Sequence, residues 1–348
     1  PPRSTPSNSS AASDVYKRQD VYERGYTDAS GNISLTVTTN QVGYINLTVT
    51  SQNHLPYEDS IQVITSSTPY IVYLKHTILD TIVGNANGVV NPGETFDPYE
   101  VEKTILKEGC NLLGVVHGET STGMLNPLEE LSSICSKREV IFVVDAVSTL
   151  GGVELSVDEL GIDFCVSASQ KALGCVPGLA TVSISEKGWS NIKEERKIQG
   201  WYLNLQTWAR YEKMWAEWHP YPVTLPVNIF YAFRKALKII LNEGLENRWK
   251  RHITIAEYLH KELEELGIEL FIKNKKLRLS TVTAAMLPNG YLASDLIAFL
   301  KEKYGILIAG GVGDTNPRLF RIGHMDYSAN KIFISRIIAG IKEFLQKH

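Results

Sequence analysis

Val140-Ile141-Phe142-Val143-Val144-Asp145 decides the fold of this chain, because five consecutive apolar residues end in a single carboxylate. A run that is apolar at every position is typical of a parallel strand buried on both faces of a sheet. Comparable runs occur at Leu112–Val116, Phe164–Ser167 and Leu179–Ile184. Their alternation with helical patterns predicts an α/β domain whose mostly parallel sheet is covered by helices. The expected helices are Tyr99–Glu108, Pro127–Lys137, Asn228–Asn242, Leu245–Leu266, Ala293–Lys303 and a last one from Ala329.

Polar residues follow three of these apolar runs. His117 follows the first, Asp145 ends the second, and Lys171 follows the third within Ser167-Ala168-Ser169-Gln170-Lys171-Ala172-Leu173. Because ligands of open parallel sheets bind outside the carboxyl ends of the strands, we expect these side chains to share a site. Taken singly, Asp145 is explained as a helix cap, Lys171 as a surface residue and His117 as a structural histidine.

An amine and a carboxylate at the same sheet edge indicate a particular chemistry. A lysine among apolar neighbours can lose its proton and attack a carbonyl group. A buried carboxylate can hold a protonated pyridine nitrogen. Together, Lys171 and Asp145 indicate pyridoxal 5′-phosphate as the cofactor.

Three motifs resemble the core motifs of the alanine–glyoxylate (serine–pyruvate) aminotransferases, which are class-V aminotransferases. They are His117–Gly123, Asp145–Gly152 and Ser167–Leu173, and the similarity runs from about residue 98 to the C-terminus. It includes Glu246–Trp249 and Leu277–Thr283. The resemblance implies the fold type I of pyridoxal-phosphate-dependent transferases. Its large domain would span residues 97–242, incomplete at its N-terminus, and a C-terminal α/β small domain would span 243–348.

The resemblance also implies roles at the cofactor. Lys171 would form the internal aldimine and then act as the general acid and base of the proton shift. Asp145 would hold the proton on the pyridinium nitrogen. Val147 would pack on one face of the ring, and Thr120 and Gln170 would hydrogen-bond cofactor oxygens.

Three further residues match positions at which the family binds phosphate or substrate. Tyr221 and Thr224 look like the pair that reaches across a homodimer to the cofactor phosphate of the partner subunit. Arg321 matches the arginine that binds the substrate carboxylate, for which its planar, two-pronged guanidinium is suited. The resemblance implies transfer of an amino group from alanine or serine to glyoxylate or pyruvate, without a metal. The alternative within the class is another amino donor, 2-aminoethylphosphonate or ureidoglycine.

Residues 20–96 indicate a separate all-β segment. Ile33–Thr38 and Ile45–Thr50 alternate between polar and apolar residues, and Ser60–Ile64 and Tyr70–Leu74 give two further expected strands. This pattern predicts a small Ig-like β-sandwich, resembling modules of bacterial secreted and cell-surface proteins. The preceding residues, 1–19, resemble translated sequencing adapter, so we expect them to be artefactual, disordered and outside the fold.

The aminotransferase family carries three features before the motif at His117–Gly123 that residues 1–96 do not replace. They are a phosphate-binding turn at a helix N-terminus, an aromatic that stacks on the cofactor, and an arm that wraps the partner subunit. A second hypothesis follows, in which the chain is a truncated chimera without catalytic activity. Its one intact module would then be the secreted-type β-sandwich.

Composition excludes several classes of partner. The net charge of −3 over 348 residues gives no reason to expect nucleic acid or an anionic membrane surface. No apolar run approaches the ~18 residues that span a bilayer. The four cysteines form no C-x-x-C pair and are expected to be reduced thiols. We expect the aminotransferase part to be cytoplasmic, whereas the β-sandwich resembles extracellular modules.

Overall fold

The computed structural model describes residues 12–17, 21–26, 43–50, 57–63, 98–194, 200–311 and 317–347. The chain divides into two compact units, Pro1–Lys75 and His76–His348.

The first unit contains a four-stranded antiparallel sheet with the strand order β2-β1-β3-β4. Its strands are β1 (Ala12–Lys17), β2 (Val21–Tyr26), β3 (Gly43–Thr50) and β4 (Tyr57–Val63). Two of the expected strands correspond to β3 and β4, whereas Ile33–Thr38 and Tyr70–Leu74 lie outside the described residues. Strand β1 differs from the expectation, because it falls within residues 1–19. Its Val15 and Tyr16 are residue types that favour strands, which the sequence argument did not weigh.

The second unit begins with the large sheet, four strands in the order β10-β9-β8-β5. Strands β5, β8 and β9 are parallel, and β10 is antiparallel to β9. The four strands are β5 (Leu112–Val116), β8 (Ile141–Asp145), β9 (Phe164–Ala168) and β10 (Ala180–Ile184). A separate short hairpin of β6 (Gly118–Glu119) and β7 (Met124–Leu125) follows β5. The helices of this part are α1 (Pro98–Glu108), α2 (Leu128–Lys137), α3 (Glu186–Glu194), α4 (Leu205–Trp215) and α5 (Val227–Glu243).

One face of the large sheet is packed against helix α2. Leu131 of α2 and Phe142 and Val144 of β8 are fully buried in a common core. The edge strands are less covered than expected, because Leu112 of β5 and Val182 of β10 are each nearly half exposed. The expectation of strands buried on both faces is therefore wrong for the two edges. Each edge strand alternates between more and less exposed residues instead.

The remainder of the chain forms the small sheet, with the order β11-β12-β14-β13, and three helices. Its elements are α6 (Leu245–Glu265), β11 (Glu269–Leu270), β12 (Val282–Met286), α7 (Ala293–Tyr304), β13 (Ala309–Gly310), β14 (Leu319–Gly323) and α8 (Lys331–Lys347). Every residue of β12 is buried. Leu259 of α6, Leu296 of α7 and Phe320 of β14 are fully buried in a single core.

Two helices, α3 and α4, were not expected from the sequence. Asn204 caps α4, because its side chain accepts a hydrogen bond from the backbone N–H of Thr207 at 3.2 Å. No residue of α4 is buried, although Leu205, Trp208 and Trp215 recur at helical spacing, a signal that the sequence argument did not weigh. Within the described residues, no helix has the length and hydropathy that crossing a bilayer requires.

Candidate active site

The strand register brings three strand ends to one level. Val116 at the end of β5 pairs with Asp145 at the end of β8, and Asp145 pairs with Val166 of β9. His117 and Lys171 follow within a few residues of these ends. The expected juxtaposition at the carboxyl edge of the sheet is therefore present in the backbone.

A tight turn fixes the carboxylate of Asp145. Its Oδ1 accepts the backbone N–H of Val147 at 2.8 Å. The backbone of Ala146 is held on β9, since its N–H donates to the carbonyl of Val166 and its carbonyl accepts from the hydroxyl of Ser167. Among the residues that the structure describes, Oδ2 of Asp145 has no hydrogen-bond partner. One carboxylate oxygen is thus free to accept a proton donor of a ligand.

A closed loop carries Lys171. Ser169 is fully buried, and its hydroxyl donates to the carbonyl of Val176 at 2.7 Å and accepts the N–H of Leu179. Its backbone N–H donates to the carbonyl of Leu179 at 3.0 Å and its carbonyl accepts from Cys175. Lys171 itself is half-buried. In the described parts of the chain, its side chain makes no hydrogen bond or ion pair. The loop is therefore rigid around an amine that is available to react.

His117 serves the structure rather than the chemistry. Its ring is buried, and Nδ1 lies 3.0 Å from the hydroxyl of Thr149. Its backbone N–H donates to the carbonyl of Asp145 at 2.9 Å. Burial lowers the pKa of His117 to about 4, so the ring is neutral at pH 7. It ties the end of β5 to the turn after Asp145.

Arg321 of β14 connects the small sheet to the motif that follows β5. Its Nε donates to the carbonyl of Gly310 at 2.7 Å, and one terminal nitrogen donates to the carbonyl of Thr120 at 3.0 Å. These two bonds use two of the five N–H groups of a guanidinium. Three donors remain for a ligand beside Thr120.

The other expected site residues have less defined surroundings. Val147 and Thr120 are half-buried, whereas Gln170 and Thr224 are exposed. Tyr221 stacks obliquely on His219, with ring centroids 4.9 Å apart. No hydrogen bond in the described residues joins Tyr221 or Thr224 to the loops of Asp145 and Lys171. The structure thus brings together Asp145, Lys171, Thr120 and Arg321 but not the pair in the α4–α5 connection.

Arg248 of α6 contacts both loops, and no role was expected for it beyond its place in a family motif. It is 1% exposed. Its Nε donates to the carbonyl of Gly151 and one terminal nitrogen to that of Ala172, both at 2.7 Å. Gly151 lies in the segment after Asp145, and Ala172 directly follows Lys171. Gly151 and Ala172 lie 97 and 76 positions from Arg248 in the chain, so no local sequence pattern indicated these contacts.

Two buried cysteines of the large-sheet core, Cys165 and Cys135, have raised pKa values. Burial raises the pKa of Cys165 to about 11, and the nearby charge of Asp145 adds to this. Burial also raises the pKa of Cys135 to about 11. Because the thiolate is the reactive form, neither cysteine is a nucleophile at neutral pH.

Comparisons with known proteins agree with one another. Residues 85–326 match the family "Aminotransferase class-V". The alanine–glyoxylate aminotransferase of Mus musculus is 34% identical over 259 residues, which cover 74% of this chain and 63% of the mouse protein. An uncharacterized aminotransferase of Methanocaldococcus jannaschii is 40% identical over 240 residues, covering 69% of this chain and 61% of that protein. The chain therefore spans less than two thirds of the length of these relatives.

Solved structures show the same relationship. The alanine–glyoxylate aminotransferase of Nostoc sp. superposes with a TM-score of 0.68 at 33% identity, covering 73% of this chain and 66% of that one. The ureidoglycine–glyoxylate aminotransferase of Bacillus subtilis gives a TM-score of 0.67 at 30% identity, covering 73% of this chain and 65% of that one. The fold type expected from the sequence motifs is confirmed.

Proposed function

This chain belongs to the class-V aminotransferase family, and we propose that it transfers an amino group from alanine or serine to glyoxylate or pyruvate. The observation that carries the proposal is the placement of Asp145 at the end of β8 and of Lys171 just after the adjacent parallel strand β9, with Arg321 hydrogen-bonded to the carbonyl of Thr120. The amine, the carboxylate and the carboxylate receptor are the groups that this reaction requires.

The cofactor of the family is pyridoxal 5′-phosphate, and the described residues fit its reactive end. Within the described parts of the chain, Asp145 has one carboxylate oxygen without a partner, which suits the pyridine N–H, and Lys171 has an amine without a partner, which suits the aldehyde. When bound, the cofactor withdraws electrons from the substrate α-carbon. Val147 would pack on the ring, and Thr120 and Gln170 would donate to ring or phosphate oxygens.

Each side chain has a separate task. Lys171 would hold the cofactor through its amine and, once displaced by substrate, would carry a proton from the substrate α-carbon. Asp145 would keep the ring nitrogen protonated, because its Oδ1 is already fixed by Val147 and its Oδ2 is oriented by that bond. Arg321 would bind the substrate carboxylate with its remaining donors and would thereby orient the α-carbon.

We also propose a homodimer whose cofactor sites are shared, with roles for Tyr221 and Thr224. Neither residue is bonded to the Lys171 loop of its own chain in the described residues. We infer that they contribute to the cofactor phosphate of a partner subunit. Measuring the molecular mass in solution together with the cofactor affinity of Tyr221→Phe tests this role. A monomeric chain whose cofactor affinity is the same in the wild type and in Tyr221→Phe would contradict this role.

The ureidoglycine–glyoxylate reaction is the second candidate. The solved enzyme of that name is nearly as similar to this chain as the alanine–glyoxylate enzyme, with TM-scores of 0.67 and 0.68. The fold therefore does not distinguish the donors. A donor panel of alanine, serine, ureidoglycine and 2-aminoethylphosphonate, with glyoxylate as acceptor, separates them by the rate of each.

Borohydride trapping tests the proposal directly. The full chain is incubated with pyridoxal 5′-phosphate and reduced, and the labelled peptide is identified by mass spectrometry. We expect a visible absorption band and a label on Lys171 that is absent in Lys171→Ala. The control is Lys250→Ala, which removes an exposed lysine of α6 and should leave the label in place. A wild-type chain without band or label would refute the enzymatic function and leave the inactive chimera as the alternative.

A further inference from the structure

The loops that carry Asp145 and Lys171 pack directly on each other. A side chain at Gly152 would place its Cβ 3.0 Å from the Cβ of Ala172 and 2.6 Å from the side chain of Thr281. Gly174 has a φ of +67°, and a Cβ there would lie 2.2 Å from the carboxylate of Asp326. The lysine loop is therefore confined between the aspartate loop and the start of the segment after β14.

Arg248 joins these pieces with four contacts. It donates to the carbonyls of Gly151 and Ala172, one in each loop. Its charge is neutralised by Glu243 at 2.9 Å and by Asp326 at 2.6 Å. A buried guanidinium that satisfies two loop carbonyls at once fixes the distance between them, because its donors are held in one plane.

Backbone contacts orient the partners of Arg248. His252, one turn further along α6, donates from Nδ1 to the carbonyl of Arg248 and accepts the backbone N–H of Asp326 on Nε2. Asp326 has a φ of +52°, which is uncommon for a residue other than glycine. The strained position is maintained by these bonds and holds the carboxylate against Arg248.

We propose that Arg248 is a positioning residue that sets the placement of Lys171 relative to Asp145. It acts through the carbonyls of Ala172 and Gly151 and touches no reacting atom. The catalytic consequence of this placement rests on the proposed aminotransferase function, whereas the coupling of the two loops does not.

Arg251 provides a matched control on the same helix. It pairs with the same Glu243 and donates to the carbonyls of Asp326 and Ala329, but it reaches neither loop. Arg248→Met and Arg251→Met thus each remove an arginine that binds Glu243. Only the first disconnects the lysine loop from the aspartate loop.

Hydrogen exchange of the cofactor-free full chain is the first measurement. We expect exchange in peptides covering 146–153 and 169–175 to be about tenfold faster in Arg248→Met, since local opening exposes these amides. Arg251→Met should leave both peptides at the wild-type rate. Equal rates in the two variants would overturn the proposal.

The second measurement is the yield of borohydride-trapped cofactor on Lys171. We expect it to fall about tenfold in Arg248→Met and to be unchanged in Arg251→Met, because the effect of misplacing a reactive group is large. Arg248→Lys keeps the charge and one carbonyl contact, so it should give an intermediate yield and an intermediate exchange rate. If Arg248→Met does not fold, the contrast between Arg248→Lys and Arg251→Met decides the question. A wild-type chain that traps no cofactor refutes the proposed function, and the exchange contrast still tests Arg248.

Discussion

The large sheet and the small sheet of the second unit differ in how completely they are covered. In the small sheet, β12 is buried at every residue and α6, α7 and α8 share one core with it. In the large sheet, the central strand β8 is buried on the α2 face, while the edge strands expose Leu112 and Val182. The proposed site residues Asp145 and Lys171 lie at the carboxyl edge of the more open sheet. We infer that the site depends on the closed small sheet for its rigidity, because Arg248 of α6 hydrogen-bonds both loops of the site.

Truncating the core of the small sheet sharpens this contrast most. Phe320 of β14 is fully buried, so Phe320→Ala should lower the free energy of unfolding by about 3–5 kcal/mol through the cavity it leaves. Denaturant titration of the full chain measures the loss. The control is Phe333→Ala on α8, because that ring is 36% exposed and its removal should cost under ~1 kcal/mol. Equal losses would mean that the small sheet has no closed core.

Acidification should destabilise the small sheet and its helices more than the large sheet, because three histidines there have lowered pKa values. Burial lowers the pKa of His252 and His260 to about 4 and of His324 to about 3. The unfolded chain titrates near the ordinary value of 6.5, so below that pH it binds protons that the folded chain does not. The free energy of unfolding therefore falls as the pH drops from 6.5 towards 4, by about 3 kcal/mol for one such histidine.

A pair of variants assigns the acid response to its sheet. His252→Gln keeps a hydrogen-bond donor and an acceptor but removes the titrating group. On acidification, hydrogen exchange of small-sheet peptides should therefore accelerate less in this variant than in the wild type. His117→Gln should have the same effect on peptides of the large sheet, because His117 also has a pKa of about 4. If either variant changes the acid-induced exchange equally in peptides of both sheets, the two sheets unfold as one unit.

Much of the large sheet could be predicted from its sequence, because apolar runs that end in a polar residue are local signals. The run before Asp145 forms β8, shifted by one residue from the expected strand. Helix α4 was not predicted, although Leu205, Trp208 and Trp215 recur at a helical spacing that could have indicated it. The small sheet was expected only in outline, as part of a C-terminal α/β domain, because two of its strands are two residues long.

The site was predicted where chemistry and local pattern coincide. Asp145 and Lys171 each follow an apolar strand, so the edge of the sheet brings them together. Arg248 could not be assigned a role, because an arginine on a helix is usually solvated and its partners are distant in sequence. The roles of Tyr221 and Thr224 stay predictions, since they depend on a second chain.

Removing Asp163 tests whether the large sheet has a polar anchor of its own. Asp163 is 3% exposed, accepts the N–H of Phe142 and the hydroxyl of Ser185, and pairs with Lys187 at 3.2 Å. Asp163→Ala leaves the N–H of Phe142 unsatisfied and should cost about 2–3 kcal/mol. Denaturant titration measures it, with the exposed Glu159→Gln as control. A cost below that of the control would mean that water replaces these bonds.

The smallest expected effect is also the sharpest test of the open edge. Val182 of β10 is 47% exposed, so Val182→Ala should change the free energy of unfolding by less than about 0.5 kcal/mol. Val144→Ala on the central strand β8 removes the same two methyl groups from a fully buried position and should cost about 2 kcal/mol or more. Both values come from denaturant titration at two protein concentrations. If Val182→Ala costs as much as Val144→Ala, the edge is covered in solution. A cost that grows with protein concentration would identify a second copy as the cover, because dimer formation stabilises the folded chain by mass action.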